Sequence, residues 1–413
     1  MEAATLLASM KPIAELAYCT NVHPGETLAR TKAMLDQHAV RVRELVLRDM
    51  GCGAQNSRQT LGIGLWLSAQ SARDLLTEPE GIIRFRGWLE ERNLAVRTIN
   101  GFPYGDFHGE TVKTRVYHPH WADPNRSLFT LDLAKILAAL VEPGTRTASI
   151  STVPIGWRSD FTNEGCGASV GLAVSQLEWI AARLSEVEDR TGVRVTIDLE
   201  PEPGCLLDRA EHVVSLFDQC FQSAQSRTYL GVCHDICHSA VMFEEQDEAL
   251  ELYARNAIRV GKIQVSAALS CHGAPKELAE LAQFDESRYL HQTSVLAGSG
   301  EVRFFEDLGL ALDAMPDGFW RTHFHVPVHL DAISRLSTTA KEIPVAFAAA
   351  SKVDPPTFEV ETYAWTVLPP HLRERDLAAG IAKELAWTRA ALERAGYTID
   401  DGGGDGTNDG VRA

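Results

Sequence analysis

The chain is marked first by what it does without. No run of residues approaches the ~20 consecutive apolar positions that a membrane-spanning helix requires, so neither a transmembrane segment nor a membrane partner is expected. The first residues, MEAATLLASMKPIAEL, carry neither the basic head nor the long apolar stretch of a secretion signal. There are 8 cysteines and no CxxC pair; apart from Cys233 and Cys237 they are scattered singly. That usage suits reduced, buried thiols in a cytoplasmic protein. Positive charge is scarce: 39 lysines and arginines against 56 aspartates and glutamates leave a net charge of −17. A phosphate backbone needs a basic stripe, so no nucleic-acid partner is expected. There is no G-x-S-x-G elbow for a serine nucleophile. GCGA at 51–54 and the GGG near the end lack the context of a phosphate-binding loop.

What is present is ordinary in bulk and ordered in pattern. With 413 residues, 45% hydrophobic and 23% charged, the chain can bury a large core as one barrel or two average domains. Short apolar runs alternate with long amphipathic stretches: IAELAYC (13–19), LGIGLWLS (61–68), AVRTING (95–101), ASISTVPIG (148–156), VRVTIDLE (193–200), TYLGVCHD (228–235), KIQVSAAL (262–269), THFHVPV (322–328) and FEVETYAW (358–365). Between them lie helical patterns such as LDLAKILAALV and VSQLEWIAARLSEVEDR. Strand followed by helix, repeated about eight times, is the pattern of a (β/α)8 TIM barrel, an α/β fold. A doubly wound open sheet usually announces itself with a glycine-rich first turn, and none occurs. Nine strand candidates compete for eight places. FEVETYAW is taken as the closing strand, and about 270–345 as an enlarged connection. Residues 1–398 then form a single barrel domain, followed by a Gly/Asp-rich tail, 399–413, expected to be disordered.

Barrel active sites form at the carboxyl ends of the strands, and those ends carry the candidate residues. They offer His23 after the first strand, Asn100 and His108 after the third, and Glu200 with Glu202 after the fifth. The sixth gives Asp235 and His238, and the seventh Gln264 with Ser266. RTHFHVPVH adds His323, His325 and His329, and the last run adds Glu359 and Glu361. Carboxylates and imidazoles recurring at one level are costly to bury without a cation. Oxygen ligands with one or two imidazoles suit Mn²⁺, Mg²⁺ or Co²⁺; more histidines admit Zn²⁺. For Asp235 the alternative is a helix N-cap on the segment starting at Ile236.

These residues resemble the xylose isomerase-like TIM-barrel superfamily: L-E at the fifth strand, D-x-x-H after the sixth, E-T at the last. More closely, YCTNVHPGETL, NGFPYGDFHGETVK, LEPEPGC, GVCHDICHSAV, KIQVSAAL, HFHVPVH and VETYAWTVLP look like the EboE family of metabolite traffic proteins. The resemblance spans nearly 12–395 and supports the topology more than the periodicity does. It implies a metal held by Glu200, Asp235 and Glu361, with His238 as ligand or substrate contact. The superfamily commonly has a histidine at the seventh strand where this chain has Gln264; His323 or His325 can fill that place. The implied activity is a divalent-metal-dependent isomerase or epimerase of a small-molecule sugar or cyclitol, or a dehydratase using the same parts. Glu200 and Glu361 would exchange protons beside a carbonyl, while His23, Asn100, His108, Glu202, His238, Gln264 and His323 contact substrate and His325 joins the metal ligands. Two rivals remain. One is a non-catalytic metabolite-binding protein with a degenerate metal site; the other is an endonuclease IV-like phosphoesterase using several zinc ions. The sequence does not specify an oligomeric state.

Overall fold

The computed structural model describes residues 11–51, 59–162, 169–351, 356–366, 368–369 and 376–400. Seven strands follow one another around a barrel: β1 (Ile13–Cys19), β2 (Leu61–Trp66), β3 (Leu94–Asn100), β4 (Thr147–Thr152), β5 (Arg194–Leu199), β6 (Leu230–Asp235) and β7 (Val260–Val265). The chain then leaves for a second sheet made of β8 (Leu269–Cys271), β9 (Thr293–Leu296), β10 (Val302–Phe305), β11 (Phe319–Thr322), β12 (Ala332–Ile333) and β13 (Leu336–Thr338). It returns as β14 (Thr357–Val360), which pairs in parallel with both β7 and β1 and closes the ring. Every barrel pairing is parallel, with helices outside, so the fold is a (β/α)8 TIM barrel.

Closure by FEVETYAW follows the sequence reading, whereas THFHVPV is not a barrel strand. Only Thr322 belongs to β11; residues 323–327 are irregular. Their backbone bonds run instead to two different neighbours, His323 N to Gln292 O and Val326 N to Ala267 O. Pro327, which has no N–H to donate, ends the segment. At the other terminus, Ile399 and Asp400 were expected in the tail. They lie in the short strand β15 (Thr398–Asp400), which pairs with Ile13–Glu15 of β1. Apolar Ile399 packs against the core there, which corrects the boundary; 401–413 lie outside the described residues.

Alternation explains why the barrel axis is polar. On β5, Val195, Ile197 and Leu199 turn toward the helices, leaving Thr196, Asp198 and Glu200 on the opposite face. Asp198 accepts hydrogen bonds from Ser149 and from Thr196 Oγ1, the latter at 3.1 Å. On β14, Glu359 accepts from Thr98 and pairs with Lys262 Nζ at 3.4 Å, both partners fully buried. Gly64 makes room for that pair, since a Cβ there would run into the Glu359 carboxylate.

The helix layer follows its own period. In the helix Val170–Thr191, Ala173, Leu177, Ile180, Ala181 and Leu184 form one buried face, Ser169 caps the start and Gly192 closes it at φ +74°. In the helix Leu377–Arg394, Glu384 is buried and accepts bonds from Val328 N (3.1 Å), Thr362 Oγ1 (2.6 Å) and Trp365 Nε1 (3.0 Å). One carboxyl thus ties the segment after His325 and the segment after Glu361 to the same helix. Burial, opposed by the three donors, pushes Glu384 up to about 7.

Gly64→Ala is expected to destabilise the fold by about 1–3 kcal/mol through overpacking against Glu359, read as a lower denaturation midpoint; an unchanged midpoint would show that the carboxylate yields freely. The folded Glu384 carboxyl keeps its proton at pH values where the unfolded chain has lost it. Its contribution is therefore complete below the ordinary carboxylate range and is lost as pH rises toward about 7. The melting-temperature gap between wild type and Glu384→Gln should accordingly shrink between about pH 5 and about pH 8. A constant gap would mean that Glu384 titrates normally.

Candidate active site

Local chain geometry delivers each side chain to the open end of the barrel. Glu200 follows β5 directly, its N–H still bonded to Thr152 O at 3.0 Å. Pro201 and Pro203 stiffen the next residues, and Gly204 at φ +87° turns the chain where a side chain would strike the Trp157 ring. Glu202 is thereby swung over the cavity, where Tyr117 Oη (2.7 Å) and Gln292 Nε2 (3.0 Å) donate to its Oε1. Asp235 ends β6 and caps the helix Ile236–Val241. Its Oδ1 accepts from His238 N at 2.9 Å and from Ser266 Oγ at 2.8 Å, leaving Oδ2 to face the site. The N-cap reading and the ligand reading therefore fall on different oxygens of one carboxylate.

Glu361 lies just past β14, with Oε1 accepting from Asn21 Nδ2 at 2.6 Å and Asn100 Nδ2 at 3.2 Å. His323 and His325 arrive from the end of β11. The Nδ1 of His238 donates to Pro201 O and that of His325 to Glu361 O, each at 2.9 Å. His323 Nδ1 donates to Gln292 Oε1 at 2.7 Å. With Nδ1 carrying the hydrogen, a neutral ring offers its Nε2 lone pair.

Burial dominates the electrostatics. It pushes Glu200 up to about 8, reinforced by the Asp235 charge, and Glu361 well up, reinforced by Glu200 and Asp235. Glu202 is pushed up to about 7 by burial, against the bonds from Tyr117 and Gln292. Burial lowers His238 to about 4 and also lowers His323 and His325, so all three are neutral near pH 7. The cation beneath them, Lys262, is engaged by Glu359. Glu200, Asp235 and Glu361 each bring one oxygen within 4.8 Å of the others. Glu200 Oε2, Asp235 Oδ2 and His325 Nε2 are buried without a hydrogen-bond partner among the described residues. Three converging carboxylates, two of them with an orphaned oxygen, fit a divalent cation.

Above this floor opens a cavity. Asn21, Asn100, Lys113, Glu200, Glu202, His238, His323, His325 and Glu361 contribute to its polar lining, and Phe107, Tyr289 and Tyr363 to its aromatic wall. A small, largely apolar enclosure with convergent polar groups is what a small-molecule site looks like.

Of the residues singled out in sequence, Asn100, Glu200, Glu202, Asp235, His238, His323, His325 and Glu361 come together here. His23, His108 and Gln264, expected to contact substrate, do not line the cavity. His23 stacks on His38 at 4.8 Å and meets Tyr18 Oη at 3.2 Å, within a separate small pocket. His108 turns its Nε2 to Asn21 O at 2.7 Å, supporting the residue that holds Glu361. Gln264 is fully buried at the level of Asp235 and Glu359, its register neighbours, below the cavity. Asn21, Tyr117, Gln292 and Tyr363 were not singled out. Asn21 shares a turn with His23, and Tyr363 follows Glu361 by two residues, so each lay beside a residue that was. Tyr117 ends a short 3-10 helix (Lys113–Tyr117) and Gln292 lies in an irregular connection, and neither gives a periodic signal.

No family model matches this chain and no curated protein does, so the likeness to the EboE family rests on the quoted motifs. Among solved structures, the chain is similar to a 3-keto-D-glucoside 4-epimerase from E. coli (13% identity, 91% of this chain and 99% of that one, TM-score 0.42). It is also similar to a xylose isomerase-like TIM-barrel protein from Mycobacterium smegmatis in complex with magnesium (12%, 94% and 98%, TM-score 0.46). A D-allulose 3-epimerase from Methylomonas sp. in complex with D-allulose is a third such neighbour (13%, 94% and 98%, TM-score 0.45).

Proposed function

We propose that this protein is a divalent-metal-dependent isomerase or epimerase of a polyhydroxylated carbonyl compound, a sugar or cyclitol, with dehydration as the variant outcome of the same chemistry. The observation that carries the reading is the pair Glu200 and Glu361, two buried carboxyls with raised pKa values flanking Asp235 at the floor of one cavity. Glu200, Asp235 and Glu361, with an imidazole from His238 or His325, would hold a Mn²⁺, Mg²⁺, Co²⁺ or Zn²⁺ ion, which would supply Lewis acidity toward the substrate carbonyl. The chain's own groups handle the proton. A carboxyl whose pKa lies near the working pH accepts and returns protons efficiently. Asn21 and Asn100 fix Glu361 through Oε1, leaving Oε2 to take the proton from the carbon next to the carbonyl. Glu200 returns one at the adjacent carbon or the opposite face. The aromatic wall limits water around the carbanionic species.

A second reading, a metabolite-binding protein without turnover, draws on Gln264. A neutral amide, fully buried with neither amide atom hydrogen-bonded among the described residues, is a poorer ligand than imidazole and weakens metal retention. The phosphoesterase reading gains from the histidines and loses to the net charge of −17.

Glu200→Gln and Asp235→Asn should each weaken divalent-metal binding by at least about tenfold, measured by metal content after dialysis; unchanged content in folded variants removes these residues from the site. Glu361→Gln should lower kcat by about 10²–10⁴-fold when compared at equal metal occupancy. Wild type should incorporate solvent deuterium beside the carbonyl of a turned-over sugar, and Glu361→Gln should not. Exchange at the wild-type rate in that variant excludes Glu361 as the base, while metal retained without exchange on any sugar or cyclitol favours the binding protein.

A further inference from the structure

We propose that the amino-terminal end of the barrel, opposite the candidate active site, holds a phosphoryl-binding pocket organised by Arg97 and Arg259. Parallel strands put their starts at one end and the carboxylate cluster at the other, about 20 Å away for strands of 6 residues rising about 3.3 Å each. Arg146 precedes β4, Arg194 begins β5 and Arg259 precedes β7. Together with Arg97 and Arg227 they line one open cavity, which shares no residue with the candidate active site. In a chain of net charge −17, so many arginines around one opening make a local exception.

An irregularity in the sheet presents Arg97. β2 pairs with β3 through Ile63 and Val96, then through Gly64 and Thr98, so Arg97 is the extra residue of a bulge. A bulge leaves its extra residue out of the ladder and re-aims the side chain. Arg97 is only 7% exposed. Its Nη1 pairs with Glu142 Oε2 at 2.6 Å and with Glu15 Oε1 at 3.4 Å. Glu15 is held in turn by Thr357 Oγ1, which donates to Oε2 at 3.1 Å. The two acids thus grip one end of the guanidinium. The Nε edge, which pairs side-on with an oxyanion, has its Nε buried and without a hydrogen-bond partner among the described residues. Arg194 shows the contrast, because its Nε and Nη2 both donate to Glu188 at 2.9 Å and its fork is occupied. Half-buried Arg259 makes no side-chain hydrogen bond or ion pair among the described residues. A purely structural role explains Nη1 of Arg97, but neither its orphaned Nε nor the unengaged Arg259.

The donors select the ligand. A guanidinium fork matches the oxygens of a phosphoryl group bidentately, and the hydroxyl-bearing Thr145, Thr147 and Thr228 line the same cavity. A phosphoryl group offers three strong acceptor oxygens, enough to join two guanidinium groups and a hydroxyl, where a carboxylate offers two. Glu15 and Glu142 also line the cavity, and their charges are turned onto Arg97. Inorganic phosphate and a small phosphate monoester share this chemistry.

The test is calorimetric titration of the full chain with inorganic phosphate and, separately, with glycerol phosphate, at constant ionic strength, with and without chelator. Wild type should bind phosphate saturably in both conditions. Arg97→Lys keeps a charge beside Glu142 but has no fork, and Arg259→Gln removes a side chain without partners. Each should weaken binding about 10–100-fold, the worth of a hydrogen bond to a charged group. Arg259→Gln disturbs no contact of the fold and decides the matter alone if Arg97→Lys does not fold. Asp235→Asn, at the other end of the barrel, should leave the affinity unchanged. Tighter binding of glycerol phosphate identifies a phosphate monoester as the ligand, and tighter binding of inorganic phosphate identifies the free ion; either supports the pocket. The proposal is overturned by no saturable binding of either probe, by equal heats from chloride, or by wild-type affinity in Arg259→Gln. Binding that disappears with chelator or in Asp235→Asn also overturns it, because the anion would then sit at the carboxylate end.

Discussion

The repulsion among carboxylates buried at the mouth of the barrel is the constraint on which the rest depends. Glu200, Asp235 and Glu361 bring oxygens within 4.8 Å of one another, with Glu202 close above and Glu359 below. Lys262, paired with Glu359 deeper in the barrel, offsets only part of that repulsion. Burial, reinforced by that repulsion, raises Glu200 and Glu361, so without a cation the cluster favours holding protons. In the proposed function, a dication would bind here in exchange for protons, and the same raised carboxyls would move protons to and from substrate. One electrostatic conflict therefore underlies both the metal reading and the acid–base reading.

Rigid support makes that conflict usable. Asp235 caps a helix with one oxygen and faces the site with the other. Asn21 and Asn100 hold Glu361, with His108 backing Asn21. Gln292 connects Glu202 to His323, linking the β5 loop to the second sheet. Glu384 anchors the segments that follow His325 and Glu361. The connection between β7 and β14 thus completes the site as well as covering it, contributing Tyr289, His323 and His325 to the lining.

Much of this was legible in sequence wherever a period or a strand end carried it. Alternation in VRVTIDLE put Glu200 on the axis side of β5, and FEVETYAW announced both the closing strand and Glu361. THFHVPV shows the limit: its period of two reads as a strand, yet its backbone partners lie in two different segments, so no ladder forms. In CTNVHPG, two polar residues sit two positions apart in one turn. Sequence favours the imidazole, but His23 turns to Tyr18 and His38 while Asn21 reaches Glu361. Tyr117 and Gln292 find each other across 175 positions, a pairing that no local pattern encodes. The end of the fold was displaced for a similar reason: Ile399 gains its place by pairing with β1, at the opposite end of the chain.

The most direct measurement is a calorimetric titration of chelator-stripped protein with Mn²⁺ near pH 7, run in two buffers of different ionisation enthalpy. Because ligands must shed protons to bind metal, saturable binding should be accompanied by net proton release, seen as a buffer-dependent heat. Absence of saturable binding, or binding whose heat is the same in both buffers, would contradict the assignment of Glu200 and Glu361 as proton-holding carboxyls at a metal site.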